Sequence, residues 1–151
     1  MQWDHEVDVL VVGSGNGALT AAICCHDFSK AKDGQAARVL LIEKSDKFGG
    51  TSAISGGGVW VPNNRYAQAA GADDSFEEAF TYLDHTIPQD LVPRDMLSCY
   101  LREAPRMIDY LHEHTQVRYV SLGEYPDYYS NLPGARNGHR SMEPQPVNWS
   151  A

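Results

Sequence analysis

The stretch Val7-Asp8-Val9-Leu10-Val11-Val12-Gly13-Ser14-Gly15-Asn16-Gly17-Ala18 decides the fold. Its first half is a valine-rich apolar run interrupted only by Asp8, the pattern of a strand buried on both faces of a parallel sheet. Its second half runs glycine, any residue, glycine, two of any residue, then alanine, the spacing of a dinucleotide-binding turn. Gly13 permits the tight exit from the strand, Gly15 lets the backbone approach a pyrophosphate, and Ala18 allows the next helix to pack closely on the sheet. Ser14, Asn16 and Gly17 complete the loop, and the helix N-terminus offers unpaired amides and partial positive charge to phosphate.

Alone, such a loop is compatible with a plain tight turn, and its surroundings narrow the reading. Small and helix-tolerant residues predict a helix from Ala18 to about His26, followed by a polar loop over residues 29–35 around Gly34. Val39-Leu40-Leu41-Ile42 then predicts a second buried strand, so the first 43 residues read as a right-handed βαβ unit and the fold class as α/β, Rossmann-like, with further helices behind. Glu43, at the end of the second strand, is placed to accept hydrogen bonds from both hydroxyls of an adenosine ribose, or is a solvated strand-end acid. It lies 25 residues after Ala18, against a usual spacing of roughly 20, and the polar loop absorbs the excess as an insertion. An acid here disfavours a 2′-phosphate, which makes NADP the least suited nucleotide.

A second glycine-rich segment follows Lys44. Gly49-Gly50-Thr51-Ser52-Ala53-Ile54-Ser55-Gly56-Gly57-Gly58 contains five glycines and three hydroxyls, a backbone able to lie against a large flat cofactor and donate hydrogen bonds to it. This segment separates FAD from NAD, although a flexible surface loop has the same composition. No histidine occurs in it, so a flavin held here is expected to be non-covalent.

Val59-Trp60-Val61-Pro62 and an Asn63-Asn64 turn come next. Ser75-Phe76-Glu77-Glu78 is a capping box opening a helix that carries Phe76, Ala79, Phe80, Leu83 and Ile87. Residues 94–104 repeat the helical period, and Pro105 is expected to open a new helical turn with Met107, Ile108 and Leu111. Residues 117–122 suggest a strand, and residues 125–151 are aromatic and rich in proline and glycine, with no clear period.

A chain of 151 residues with 42% hydrophobic content is the size of one domain. Its formal charge of -8 disfavours nucleic acid and anionic membrane surfaces as partners and leaves small-molecule chemistry. No apolar run approaches the roughly 20 residues that span a bilayer, and the polar first six residues do not resemble a signal peptide, so a soluble, cytoplasmic protein is expected. Cys24, Cys25 and Cys99 have no metal-ligand spacing and read as reduced thiols.

The residues now resemble a known family. Asp8 to Gly15, Glu43-Lys44, Phe48-Gly49-Gly50-Thr51-Ser52-Ala53, Ser55 to Asn64, Pro126-Asp127-Tyr128-Tyr129 and Gly138 to Pro144 are similar to the fumarate reductase flavoprotein superfamily and, more closely, to its 3-ketosteroid Δ1-dehydrogenases. The glycine blocks are shared by many flavoproteins; the tyrosine pair and Arg140-Ser141 point to ketosteroids. The resemblance implies FAD as cofactor, a 3-ketosteroid as substrate, an electron acceptor as partner, and Tyr128 in the active site. It implies 1,2-desaturation: a base removes a proton beside the 3-ketone while the neighbouring hydrogen leaves as hydride to the flavin. A phenol, with an ordinary pKa of about 10, becomes a useful base when neighbouring donors stabilise its anion. Without the resemblance, Tyr125, Tyr128 and Tyr129 read equally as amphipathic packing residues.

The implied organisation is a dinucleotide-binding and flavin-loop part over residues 1–64, a helical part over 65–124 and an irregular, active-site-like part over 125–151. Family enzymes are several times longer, so the chain is expected to be a fragment that lacks the substrate-capping domain and does not turn over alone. The alternatives are a fumarate reductase-like enzyme for a small dicarboxylate, an NAD-binding dehydrogenase fragment, and an inactive nucleotide-fold interaction module.

Overall fold

Two parallel strands, β1 (Val9–Val12) and β2 (Val39–Ile42), pair in register with Val9 opposite Val39 and Val12 opposite Ile42. They are joined by α1 (Asn16–Asp33), so the expected βαβ unit is present. The computed structural model describes residues 3–147 and divides into two units, Met1–Gly57 and Gly58–Ala151.

In the first unit the Asp8 carboxylate grips Arg38 at the entry to both strands. It accepts from the Arg38 backbone N–H at 2.8 Å and from Nε and Nη2 of its guanidinium at 3.2 and 3.1 Å. This bidentate pair fixes the strand register. Two expectations need correction here. The polar residues after His26 do not start a loop: α1 continues to Asp33, and Gly34 closes it in the left-handed conformation, donating its N–H to the Lys30 carbonyl at 2.9 Å. Lys30 and Lys32 sit in the last turn, where cations favour the helix dipole, and Ser29 accepts from the Ala37 N–H at 2.7 Å. The extra length between Ala18 and Glu43 is therefore added helical turns.

The second correction concerns burial. Val11 is buried, but Leu10 is 53% and Val12 75% exposed, so β1 is covered on one face only. Two strands and a single helix lack the second layer that would cover the other face. Within the glycine-rich segment a short helix, α2 (Gly50–Ile54), follows Gly49, whose φ of 103° belongs to the left-handed region. A Cβ at Gly49 would stand 2.5 Å from the Ala53 Cβ, so this turn requires glycine.

The second unit places β5 (Ser141–Pro144) between β3 (Val59–Trp60) and β4 (Tyr119–Ser121) in an antiparallel sheet. Val59 pairs with Met142, and Tyr119 with Pro144. The segment expected to be irregular thus contains the central strand. Ser-Met-Glu-Pro has no alternation to announce a strand, and its pairing is supplied by both neighbours; the tail 148–151 lies outside the described residues. Asn64 is buried and caps the short α3 (Arg65–Ala69), its Oδ1 accepting from the Ala67 N–H at 2.9 Å while its Nδ2 donates to the Val61 and His139 carbonyls at 2.8 and 3.1 Å.

Half of the capping box forms: Ser75 precedes α4 (Phe76–Thr86) and accepts from the Glu78 N–H at 3.2 Å, whereas the Ser75 N–H donates to Asp74 Oδ1 at 3.0 Å and the Glu78 carboxylate accepts from Arg136 instead. Pro105 does not begin a new helix. A single α5 (Arg94–His114) passes through it, with Leu97, Leu101, Ala104, Ile108 and Leu111 buried along one face. That continuous apolar stripe offsets the one backbone bond that proline removes. Ala79, Tyr82, Leu83, Leu97 and Leu101 form one core cluster, and Val61, Ala104, Ile108 and Met142 form another.

Candidate functional site

The residues singled out around the first turn lie in the first unit, where three separate segments meet. Gly13, at φ 100°, donates its N–H to the Ile42 carbonyl at 2.7 Å, which ties the turn to the end of β2. The buried Ser14 hydroxyl donates to Glu43 Oε2 at 2.5 Å and accepts from the Gly49 N–H at 2.8 Å. Ser45 N–H donates to the other Glu43 oxygen at 3.1 Å. The Ser14 hydrogen bond first, and the Ser45 N–H second, hold the Glu43 carboxyl below the usual carboxylate range, so it is ionised and retains free lone pairs. Asn16 N–H donates to the Ser52 hydroxyl at 3.1 Å.

This arrangement suits a diphosphate and a ribose by its donor set. Gly15 opens α1 with no side-chain cap, and the first turn contains no acid, so no side chain of that turn competes for the amides at Gly17 and Ala18. A Cβ built on Gly13 or Gly17 would touch nothing within 4 Å, which leaves open space before the loop. Of the remaining predicted residues, Gly50 and Thr51 lie in α2, whose end Ser55 marks, and the Gly57 N–H donates to the Ser55 hydroxyl at 3.0 Å. Lys44 and Gly56 are exposed. Gly58 falls in the second unit.

In the second unit, Tyr128 lines a cavity of about 400 Å³ together with Trp60, Tyr82, Leu122, Tyr125 and Met142. The Tyr128 side chain stands out at 86% exposed, on a loop held from below. Tyr129 N–H donates to the Tyr82 hydroxyl at 3.2 Å. Tyr125 lines the same cavity, and the neighbouring Tyr128 phenol pushes the Tyr125 phenol above its ordinary range. The Trp60 ring lies parallel to Tyr100, with centroids 6.4 Å apart, and the Tyr100 hydroxyl donates to the Trp60 carbonyl.

Residue types gave no warning of the charges behind this wall. Asp74, Asp127 and Arg140 are all buried, and Arg140 bonds Asp74 at 2.8 Å and Asp127 at 2.8 Å. Burial alone would raise the Asp74 carboxyl, but hydrogen bonds from Arg140 and the Asn63 N–H, with the charges of Arg140 and Arg136, outweigh it and hold it low. The only sequence signal was the presence of Asp127 and Arg140 within the family-like stretches. Among the described residues no cluster of three or more histidines, cysteines and acids suits a metal ion, and no helix is long and apolar enough to cross a membrane.

Comparison with known proteins accounts for both regions. A 3-oxosteroid 1-dehydrogenase of Mycobacterium tuberculosis is 38% identical over 144 residues, covering 95% of this chain and 24% of that protein. A 4-oxocyclohex-2-ene-1-carboxylate 5-dehydrogenase of Sinomonas cyclohexanicum is 42% identical over 138 residues, covering 91% of this chain and 22% of that protein. The crystal structure of 3-ketosteroid Δ1-dehydrogenase from Sterolibacterium denitrificans, in complex with 1,4-androstadiene-3,17-dione, matches with a TM-score of 0.81 and 49% identity over 92% of this chain and 23% of that one. The chain thus spans about a quarter of the length of these relatives. The model of the FAD binding domain matches residues 8–151, and with the glycine turn, the ionised Glu43 and the parallel strand pair in place, the chain belongs to that FAD-binding family.

Proposed function

We propose that this chain is part of an FAD-dependent dehydrogenase acting on CH–CH bonds, which introduces the C1–C2 double bond into a 3-ketosteroid. The observation that carries the reading is the cavity of the second unit. Its walls are Trp60, Tyr82, Tyr125, Tyr128 and Tyr129 with Val59, Leu83, Leu122 and Met142, and its charged lining is Asp127 and Glu143, with no lysine or arginine. Flat aromatic walls suit a flat apolar ring system. With no cation in its lining and Asp127 already paired to Arg140, the cavity offers a carboxylate no clamp, which disfavours a dicarboxylate and the anionic monocyclic ketones after which some relatives are named.

Residues Gly13, Ser14, Gly15, Asn16, Gly17 and Ala18, with Glu43 and Lys44, hold the dinucleotide half of the cofactor, non-covalently. Gly49, Gly50, Thr51, Ser52, Ser55, Gly56, Gly57 and Gly58 face its flavin half. FAD, when bound, accepts the hydride from C1. Tyr128 acts on the other side of the bond, at the proton on C2. Tyr125, on the same cavity wall, is the neighbouring phenol from which Tyr128 would draw a hydrogen bond as negative charge develops there. Residues 1–64 form the cofactor part, residues 65–124 the helical part and residues 125–151 the substrate-facing part. An electron acceptor regenerates the oxidised flavin. We place the protein in the cytoplasm, where free Cys24, Cys25 and Cys99 stay reduced.

The test is to express the reading frame that contains this chain, load it with FAD, and add a 3-ketosteroid, a 4-oxocyclohexanecarboxylate or succinate without oxygen. Bleaching of the oxidised-flavin absorbance by the steroid is expected. Bleaching by the monocyclic ketone alone would move the substrate to that class. A folded, FAD-saturated protein that no ketone bleaches would overturn the dehydrogenase reading.

A further inference from the structure

Asp127 is one residue before Tyr128, and its side chain is only 1% exposed. Its Oδ1 accepts from the Trp60 indole Nε1–H at 2.6 Å, and its Oδ2 accepts from Arg140 Nη1 and the Arg136 N–H at 2.8 and 2.9 Å. Its own N–H donates to the Arg136 carbonyl at 2.9 Å. Backbone and side chain are therefore both fixed, and both carboxylate oxygens are occupied. Tyr128, by contrast, projects from the surface. The position of its Cα is set by the residue before it.

The same carboxylate reaches Trp60, 67 residues away in sequence, whose ring forms another wall of the cavity that Tyr128 lines. Behind the indole, the Arg140 guanidinium lies 5.8 Å from the Trp60 ring centroid and 5.8 Å from that of Tyr82. Only an acid serves all these partners. Asparagine would accept from the indole with its oxygen but turn an N–H2 group toward Arg140, donor against donor. Asp74, Arg136 and the part-exposed Glu78 extend the network on either side, so each buried carboxylate faces a guanidinium.

Resting on the ketosteroid reading above, we infer that Asp127 is a positioning residue which holds the stacking face of Trp60 and the backbone that carries Tyr128 on one cavity at a fixed separation. A substrate that must lie flat on one wall while presenting its C2 proton to the other needs both held before it arrives. Burial of the indole N–H against Asp127 also leaves the exposed ring face wholly apolar.

The test uses the FAD-loaded protein from the full reading frame and a double-mutant cycle of Asp127→Asn and Trp60→Phe, with kcat and KM for a 3-ketosteroid, bound flavin and thermal midpoint recorded for each protein. Asp127→Asn is expected to lower kcat and raise KM, reducing kcat/KM by about tenfold or more, with flavin content unchanged. Trp60→Phe is expected to raise KM alone, and the double variant to have a KM no worse than that of Asp127→Asn. Additive effects on KM, or a loss that only follows lost flavin, would overturn the proposal. Should Asp127→Asn fail to fold, Trp60 is replaced by β-(3-benzothienyl)alanine, which keeps the bicyclic ring and lacks the N–H. A several-fold rise in KM supports the anchor, and unchanged kinetics overturn it. A wild type that the steroid does not reduce overturns the ketosteroid reading and the anchor with it, whereas a steroid-reduced wild type with an additive cycle overturns the anchor alone.

Discussion

The two units bury their residues in different ways. In Met1–Gly57, Val11 is the one hydrophobic side chain buried among the described residues, and Leu10, Val12, Phe48 and Ile54 are exposed. In Gly58–Ala151, two apolar clusters enclose helices and sheet, and Asp74, Glu78, Asp127, Arg136 and Arg140 make a network at the cavity's back. The first unit is a cradle of backbone and hydroxyl hydrogen bonds with little core; the second is a wall stiffened by its own core and ion pairs. Each construction suits its task. A phosphate and ribose site needs close backbone approach and satisfied polar groups, whereas a cavity for a flat apolar ring needs rigid side chains.

Substitutions in the second unit should therefore dominate the stability of the 151-residue chain. The largest effect is expected for Arg140→Met, which leaves the buried carboxylates of Asp74 and Asp127 without their common partner. It should lower the unfolding free energy in urea by about 3–5 kcal/mol, and a loss below about 1 kcal/mol would make the network no better than a surface pair.

Acid should weaken the same unit. The folded Asp74 carboxyl binds its proton less tightly than the unfolded one, whose ordinary value is 3.8. The stability it contributes is therefore complete above that value and is lost as pH falls through the lowered folded value. Denaturation midpoints at pH 7, 5 and 3 should show the fall between the last two, and Arg140→Met should flatten it.

A smaller effect is expected from Ser75→Ala, which removes the cap of α4 and should cost about 1 kcal/mol. Smallest of all, Leu10→Thr in the thinly covered first unit should change the stability of this chain by no more than about 0.5 kcal/mol. A loss as large as that of a core leucine would show that β1 is better covered than its exposure implies.

The same contrast explains what the sequence revealed. The first unit is local: a glycine turn, two valine-rich strands and an acid at a strand end are each read within a few residues, and the structure brings Ser14, Glu43, Gly49 and Ser52 together from those segments. Local reading failed where satisfaction came from nearby partners of unexpected kind, as with the polar turns of α1 that Gly34 and Lys30 close. The second unit depends on distant pairing. Ser141–Pro144 becomes a strand because β3 and β4 flank it, Pro105 is absorbed by a stripe that packs on both sides of it, and Arg140 finds Asp74 across 66 residues. No periodicity records such partners, so Tyr128 was reached only through family resemblance, and Asp127 had no role assigned.

The most direct measurement is the anaerobic reduction of bound flavin by a 3-ketosteroid, followed in a stopped-flow spectrometer for the FAD-loaded protein and its Tyr128→Phe variant. The account predicts equal flavin content in both, because the cradle is untouched, and a reduction rate at saturating steroid lower by about 10²-fold or more. Equal flavin content with an unchanged reduction rate would contradict it, and would leave Tyr128 as an exposed packing residue on the cavity rim.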